Sequence, residues 1–243
     1  GDQAEEFCMA VLAINMASQT NGVSKLHGEV TQKMWGGIWP QIPRHEVPIT
    51  YVTNGIHILG WLSSEMSMLY ERYLGSRWID EPTNHAIWKR SEQIPDFELW
   101  RSKERLREGL ISFSRARLRK QLQAKGAPGY QMKLADEVLD PEALTIGFAR
   151  RFATYKRSAL LFRDPDRLRQ ILTNEERPVQ LIFSGKAHPQ DKYGKELIHK
   201  IVQMANTPEF RKHIVFIENY DIEVARYLVQ GVDCLLYTSP SPR

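Results

Sequence analysis

The last hundred residues alternate short apolar runs with helical patterns, and this alternation constrains the fold more than any other feature of the chain. The runs are LTIGFA (144–149), VQLIFSG (179–185), HIVFIEN (213–219) and VDCLLY (232–237). Between them, helical patterns begin near Tyr155, Asp191 and Asp221. Strands that alternate with helices form a parallel sheet, because each crossover helix covers a face of the sheet. The sequence therefore predicts an α/β, Rossmann-like domain in this half.

The N-terminal part of the chain has a different pattern, which predicts two helices. Asp2 is placed to cap the first helix, and the pair Asn21-Gly22 to end it. Ser24 is placed to open the second. Three apolar residues at four-residue spacing give the second helix one apolar face: Leu26, Val30 and Met34.

A segment rich in proline and glycine, GGIWPQIPRHEVP (36–48), follows these helices. Its composition predicts an irregular connector, and we place a domain boundary there. Residues 1–48 then belong to one domain and residues 49–243 to a second. Within the second domain, a helical insertion is predicted at about 62–140.

This insertion includes a strongly basic helix, predicted from about residue 98 to 124. Four apolar residues are predicted to face inward: Leu99, Leu106, Leu110 and Phe113. The cations are Arg101, Lys103, Arg105, Arg107, Arg115, Arg117, Arg119 and Lys120. Because Glu98, Glu104 and Glu108 interrupt the positive patch, a solvated helix face is favoured over a nucleic-acid ligand.

Composition and residue patterns argue against several other classes of protein. With 243 residues, 42% of them hydrophobic, the chain is long enough to bury a core. The formal net charge is only +4, although 26% of residues are charged, so the sequence as a whole does not indicate a polyanion-binding protein. Cys8 and Cys234 are far apart in apolar runs, which predicts buried thiols in a reducing cytoplasm and no metal site. No apolar run reaches the length of a membrane span, and no secretion signal is recognised.

The basic stretch RRFATYKR (150–157) directly follows the first predicted strand. In a parallel sheet, ligands bind beyond the carboxyl ends of the strands, where helix N-termini also point. Arg151 and Lys156 are close enough in sequence to converge on one anion at this edge. The alternative is that these cations only flank the strand and form salt bridges with acids such as Asp164 and Glu218. Topology alone leaves both possibilities open.

Six stretches of the chain carry more specific information than its composition does. They are NGVSKLHGEVTQKMW (21–35), TNGIHILGW (53–61), GFARRFATYKR (147–157), FSGKAHPQD (183–191), FIENYDIEVAR (216–226) and QGVD (230–233). Together, and in this order, they resemble the glycogen/starch phosphorylases, the α-glucan phosphorylase family. The resemblance covers nearly the whole chain.

This resemblance implies a two-domain glycosyltransferase B-type fold, in which residues 1–48 end the N-terminal glucan-binding domain and residues 49–243 form part of a Rossmann-like C-terminal domain. The implied enzyme cleaves terminal α-1,4 bonds of a glucan with inorganic phosphate, giving glucose 1-phosphate with retention. It is cytoplasmic, has no nucleic-acid or membrane partner, and is compatible with a homo-oligomer. The implied cofactor is pyridoxal 5'-phosphate, whose phosphate group takes part. Two adjacent phosphates repel each other, so the site needs several cations.

The resemblance also assigns roles to these cations. Arg151 and Lys156 match residues that hold the substrate phosphate, and Arg150 matches a basic residue that contacts the cofactor phosphate. A guanidinium suits two-point contact with a phosphate, whereas a lysine supplies a movable point charge.

Three further matches have ordinary structural alternatives. Asn54 matches a residue near the sugar and the phosphate, although it is also a common turn residue before glycine. Trp61 and Tyr220 match aromatic residues around the pyridoxal, and a packing role is the alternative for each.

Four more residues carry weaker expectations. Asp221 stands where some family members have an arginine directed toward the cofactor phosphate. His27 and His57 lie in the matching stretches, and we expect a structural role for both. Lys186 is a minor candidate at the end of the second strand.

The C-terminal residues depart from the family pattern. The family's cofactor-bearing lysine lies beyond QGVD and the next strand, but the sequence reads CLLYTSPSPR and stops. We expect residues 235–243 to be a non-native tail that resembles a translated library adapter. The chain is then expected to be an internal piece of a longer enzyme, inactive alone and without the Schiff-base lysine.

Two other functions stay open at this point. A nucleotide-sugar glycosyltransferase such as a glycogen synthase also has Rossmann-like domains and binds a diphosphate with Arg and Lys. A non-enzymatic basic binding module would instead associate with polyanions in a salt-dependent manner.

Overall fold

The computed structural model describes residues 7–153 and 160–236. The chain divides into two compact units, Gly1–His57 and Ile58–Arg243. None of the described helices combines the length and apolar character needed to cross a lipid bilayer.

The described part of the first unit contains two α-helices and two short strands: α1 (Met9–Met16), β1 (Thr20–Gly22), α2 (Lys25–Trp35) and β2 (Ile49–Tyr51). The strands β1 and β2 pair in parallel. Between α2 and β2, the predicted connector contains only two short 3-10 turns, Gly36–Ile38 and Arg44–Glu46. Its irregular character is therefore confirmed.

The predicted start of α2 is confirmed, but the predicted end of α1 is wrong. The Ser24 hydroxyl accepts a hydrogen bond from the amide of His27 and so caps α2. Asn21 and Gly22 lie in β1 rather than at a helix end. A Cβ on Gly22 would collide with the backbone of Gly28. Gly22 thus allows β1 to approach α2 closely. Asp2 lies outside the described residues.

The second unit has eight helices and four strands among its described residues. The helices are α3 (Ile58–Trp61), α4 (Ser64–Leu74), α5 (His85–Trp88), α6 (Asp96–Ala124), α7 (Gly129–Glu137), α8 (Pro165–Leu172), α9 (Lys192–Ala205) and α10 (Ile222–Gly231). The strands are β3 (Leu144–Ala149), β4 (Val179–Ser184), β5 (Ile214–Ile217) and β6 (Cys234–Leu235). Asp191 and Asp221 cap α9 and α10, as their positions predict. The helix start predicted near Tyr155 lies outside the described residues.

These four strands form one parallel sheet in the order β5-β4-β3-β6. The α/β prediction is confirmed. The chain builds the sheet outward from β3 through β4 to β5, and then returns to place β6 on the other side of β3. The strand order therefore reverses between β3 and β6. In open α/β sheets, such a reversal opens a crevice where ligands bind.

Alternate residues of the strands supply the two faces of the core. On one face, Phe148, Phe183 and Ile214 pack with residues of α8 and α9. On the other, Ile182 and Val215 pack with residues of α6 and α10. Both faces are covered, which explains why the strands are almost continuously apolar.

The predicted solvated face of α6 is wrong for several of its cations. The guanidinium of Arg107 is buried, with Nη1 3.1 Å from both carboxylate oxygens of Asp233. Arg115 donates to two backbone carbonyls of the turn before β3, each at 2.8 Å. Lys103 donates to the carbonyls of Gln230 and Val232 at the end of α10. These cations stabilise the contact between α6 and the segments that precede β3 and β6, instead of facing solvent.

Two smaller expectations are also wrong. Leu99 is 43% exposed, because it lies in the first turn of α6, outside the two core clusters that cover the sheet. Cys8 and Cys234 are exposed rather than buried. Cys8 precedes α1, a helix with no buried residue, and Cys234 lies in a two-residue strand at the outer side of the described sheet.

Candidate functional site

Two arginines follow β3 directly, at the carboxyl edge of the sheet. Arg150 is half-buried and Arg151 is exposed. The next residue, Phe152, is fully buried, and its amide donates to the carbonyl of Lys186 at 3.0 Å. Phe152 therefore anchors the chain immediately after the two arginines and holds them at the edge where ligands bind. Lys156, their predicted partner, lies outside the described residues.

The loop after β4 packs tightly against the loop that carries the arginines. Gly185 has a φ of 153°, and a Cβ at this position would collide with the carbonyl of Arg150 and lie 2.8 Å from the Phe152 ring. Only glycine fits this backbone conformation and this contact. Lys186, which follows, has an exposed side chain at the same edge.

The loop between β5 and α10 brings Tyr220 to this edge. Tyr220 is half-buried and packs against the apolar cluster between the sheet and the helices α6 and α10. Asn219, just before it, has a φ of 55°, which is uncommon for a residue other than glycine. The structure thus brings Arg150, Arg151 and Tyr220 to one edge of one sheet.

Asp221 is held by two partners. Its carboxylate accepts a hydrogen bond from the amide of Val224 at 2.8 Å, and Nη2 of Arg117 lies 3.0 Å away. The bond from Val224, aided by Arg117, lowers the pKa of the Asp221 carboxyl. Burial opposes charge on Arg117, but its bonds to Asp221 and Glu223 outweigh that effect and raise the pKa of the guanidinium. The negative charge of Asp221 is therefore compensated locally.

Trp61 lies away from this group of residues. It ends α3, and its carbonyl accepts a hydrogen bond from Nε2 of Gln230 at 3.0 Å. Gln230 is in the last turn of α10, whereas Tyr220 precedes the first turn of the same helix. A ten-residue helix is about 15 Å long. The backbone of Trp61 is therefore fixed near the opposite end of α10 from Tyr220.

Asn54 belongs to the first unit. Its side chain is exposed, and its backbone N–H donates to the carbonyl of Val23 at 3.2 Å. His27, in the same unit, accepts a hydrogen bond from the amide of Val23 through Nδ1 at 3.1 Å, which is a structural contact. His57 is exposed at the end of this unit.

The family model for carbohydrate phosphorylases matches residues 1–236. This chain belongs to the carbohydrate phosphorylase family. The predicted resemblance is therefore confirmed.

Several named phosphorylases are similar to this family member. It is 40% identical over its whole length to maltodextrin phosphorylase of Thermococcus litoralis, of which it covers 28%. It is 41% identical over 99% of its length to glycogen phosphorylase of Aquifex aeolicus, of which it covers 34%. A glycogen phosphorylase of Mycobacterium tuberculosis is 41% identical over 97% of the chain, which covers 27% of that protein. This phosphorylase segment thus spans about a third or less of these relatives.

Two residues of α6 are functional candidates that the sequence patterns did not identify. Arg117 and Gln121 reach the loop that carries Tyr220, yet both lie inside a basic helix whose pattern indicates a solvated surface. Their partners are 95 or more residues away along the chain. Helical periodicity carries no signal for such contacts.

Proposed function

We propose that this chain is part of an α-glucan phosphorylase, called here the parent enzyme, which uses inorganic phosphate to cleave terminal α-1,4 bonds of a glucan. The proposal includes a two-domain glycosyltransferase B-type fold, glucose 1-phosphate as product and a cytoplasmic location. Glycogen or maltodextrin phosphorolysis is what the names of the similar proteins indicate for them.

One observation carries this proposal: Arg150 and Arg151 lie side by side at the reversal point of a parallel sheet, held there by Phe152 and Gly185. Anionic ligands bind at such an edge. The exposed guanidinium of Arg151 can donate two parallel hydrogen bonds to a phosphate. We assign Arg151 to the substrate phosphate, with Lys156 as its proposed second cation.

The residues at this edge fit pyridoxal 5'-phosphate. A phosphate monoester needs cations and hydrogen-bond donors, which Arg150 and the Tyr220 hydroxyl can supply. Asp221 does not oppose this binding, because Val224 and Arg117 already bind its carboxylate. When bound, the cofactor would supply a phosphate group that takes part in the reaction. The role of the protein side chains is to hold both anions and offset their repulsion.

Asn54, in the first unit, and Trp61, in the second, are two further candidate residues of the proposed parent enzyme. The exposed amide of Asn54 is suited to bind a glucosyl hydroxyl. Trp61 is the weaker candidate, because the hydrogen bond from Gln230 fixes its backbone near the far end of α10 from Tyr220.

A substrate test on the parent enzyme examines this function. It should release glucose 1-phosphate from a maltooligosaccharide and inorganic phosphate, and it should not transfer glucose from a sugar nucleotide. Changing Arg151→Ala should raise the KM for phosphate by about ten- to a hundredfold, since a charged hydrogen bond contributes about 1.5–3 kcal/mol. The KM for glucan should change little. Arg105→Ala, an exposed cation of α6, is the matched control.

Two results would contradict the proposal. Glucosyl transfer from a sugar nucleotide would favour the glycogen synthase type of enzyme instead. Equal losses for phosphate and glucan would assign Arg151 a folding role. The basic binding module is disfavoured, because Lys103, Arg107, Arg115 and Arg117 of the basic helix are engaged within the fold.

A further inference from the structure

The side chain of Gln121, in the C-terminal half of α6, binds the backbone at the end of β5. Its Nε2 donates to the carbonyl of Phe216 at 3.1 Å, and its Oε1 accepts from the amide of Glu218 at 2.9 Å. Because β5 is an outer strand of the described sheet, these two backbone groups have no neighbouring strand on that side within it. The amide of Gln121 therefore acts as a one-residue substitute for a further strand.

Two cations, one in α6 and one directly after its last residue, bind the loop that follows β5. Lys125 forms an ion pair with Glu218. One turn before Gln121, Arg117 binds Asp221 at 3.0 Å and Glu223 at 2.5 Å. The Arg117 guanidinium also lies 5.2 Å from the centre of the Phe113 ring. Side chains on one face of α6 thus bind both ends of the loop.

Only Asn219 and Tyr220 lie between the two bound ends. Asn219 adopts the left-handed backbone conformation, with a φ of 55°. Such a conformation persists where the surrounding structure holds it, and it is enriched at functional sites. Tyr220, the next residue, packs against the same apolar cluster as Phe113 of α6. Contacts from α6 therefore determine the position of Tyr220 at the ligand edge.

We propose that Gln121 and Arg117 are positioning residues, which fix the loop of Tyr220 so that its hydroxyl meets an anionic ligand at the carboxyl edge of the sheet. This inference rests on the proposed function and extends it to residues that do not touch the ligand. The mechanism is geometric: a displaced loop leaves the cations of the β3 loop in place but removes a hydrogen-bond donor from the site. The effect should therefore fall on cofactor binding and turnover rather than on glucan binding.

The decisive variant is Gln121→Met, which keeps the length of the side chain and removes both hydrogen bonds. Gln123→Met is the matched control, since Gln123 is exposed on the same helix. In the parent enzyme, hydrogen exchange at the Glu218 amide should become about tenfold faster or more in Gln121→Met, and should not change in the control. The dissociation constant for pyridoxal 5'-phosphate should rise on the order of tenfold, and kcat should fall by a similar factor, with the KM for glucan unchanged.

A second pair of variants tests the other end of the loop. Arg117→Met should speed exchange at the Val224 amide, because the carboxylate that accepts from this amide loses its cation. Arg117→Lys keeps the positive charge and should restore part of the cofactor affinity. If Gln121→Met does not fold, the two Arg117 variants test the positioning role by themselves.

Two outcomes would overturn the inference. Unchanged exchange at Glu218 would show that Gln121 does not hold the strand end. Faster exchange with unchanged cofactor affinity and unchanged kcat would show a purely structural contact. A parent enzyme that binds the cofactor but has no phosphorolytic activity would refute the proposed function, and cofactor affinity would then decide the positioning role separately.

Discussion

The β3 loop and helix α6 are both strongly basic, yet their charges have different surroundings. In α6, Arg107 is buried against a carboxylate, and Arg115 donates to two backbone carbonyls. In the β3 loop, Arg151 is exposed at the edge of the sheet where ligands bind. A count of cations does not separate the two segments. The partners of each cation do, because a cation already bound inside the fold has little capacity to bind a ligand.

The largest expected effect comes from the buried cation of α6. Changing Arg107→Met should lower the free energy of unfolding by about 3–5 kcal/mol, because it leaves the largely buried carboxylate of Asp233 without its cation. Denaturant unfolding measures this loss. The exposed control Arg105→Met should stay within about 0.5 kcal/mol of wild type. A loss below about 1 kcal/mol for Arg107→Met would mean that this cation is as dispensable as a surface one.

A smaller effect is expected from the backbone that supports the β3 loop. Gly185→Ala should cost about 1–3 kcal/mol, since the new Cβ meets the Arg150 carbonyl at a backbone conformation that alanine avoids. Gly126→Ala separates the two causes, because Gly126 also has a positive φ but has open space around it. Equal losses in thermal unfolding for both variants would show that the tight contact between the two loops is unimportant.

The ion pair between Asp221 and Arg117 should make stability depend on pH. The folded-state pKa of Asp221 is lowered from its ordinary value of 3.8, so its ionised form stabilises the fold. This contribution is complete above that value and is lost as pH falls through the lowered folded-state pKa. Asp221→Asn keeps the helix cap but not the charge. The difference in stability between wild type and Asp221→Asn should therefore shrink with acidification, and a constant difference would contradict the ion pair.

The smallest effect is expected in the β3 loop itself. Arg151→Ala should change the free energy of unfolding by no more than about 0.5 kcal/mol, because the side chain is exposed. Denaturant unfolding, as for Arg107→Met, measures this change in the free energy of unfolding. A large loss would place Arg151 with the structural cations of α6 and would weaken its assignment to a phosphate.

Local patterns predicted the elements of the second unit well. The strands begin and end within about two residues of the predicted apolar runs, and Asp191 and Asp221 cap their helices. The end of α1 was mispredicted, because Asn21-Gly22 is equally suited to a helix end and to a strand that must approach a helix closely. Such signals depend on residues that are neighbours in sequence, so they fail where contact with a distant segment determines the local structure.

The candidate site was only partly predictable for the same reason. Parallel topology alone brings Arg150, Arg151 and Tyr220 to one edge, because all strands point the same way. The partners of Arg117 and Gln121 could not be predicted, since the pattern of α6 shows which residues share a face but not what that face contacts.

By itself, the sequence determined the α/β class, the family and the position of the basic loop after the first strand of the sheet. The tertiary structure decided which cations are engaged inside the fold and which are exposed to a ligand. Helix and strand propensities act over a few residues, whereas Arg107 and Arg117 are paired by segments 126 and 104 residues away, which meet them only when the chain folds.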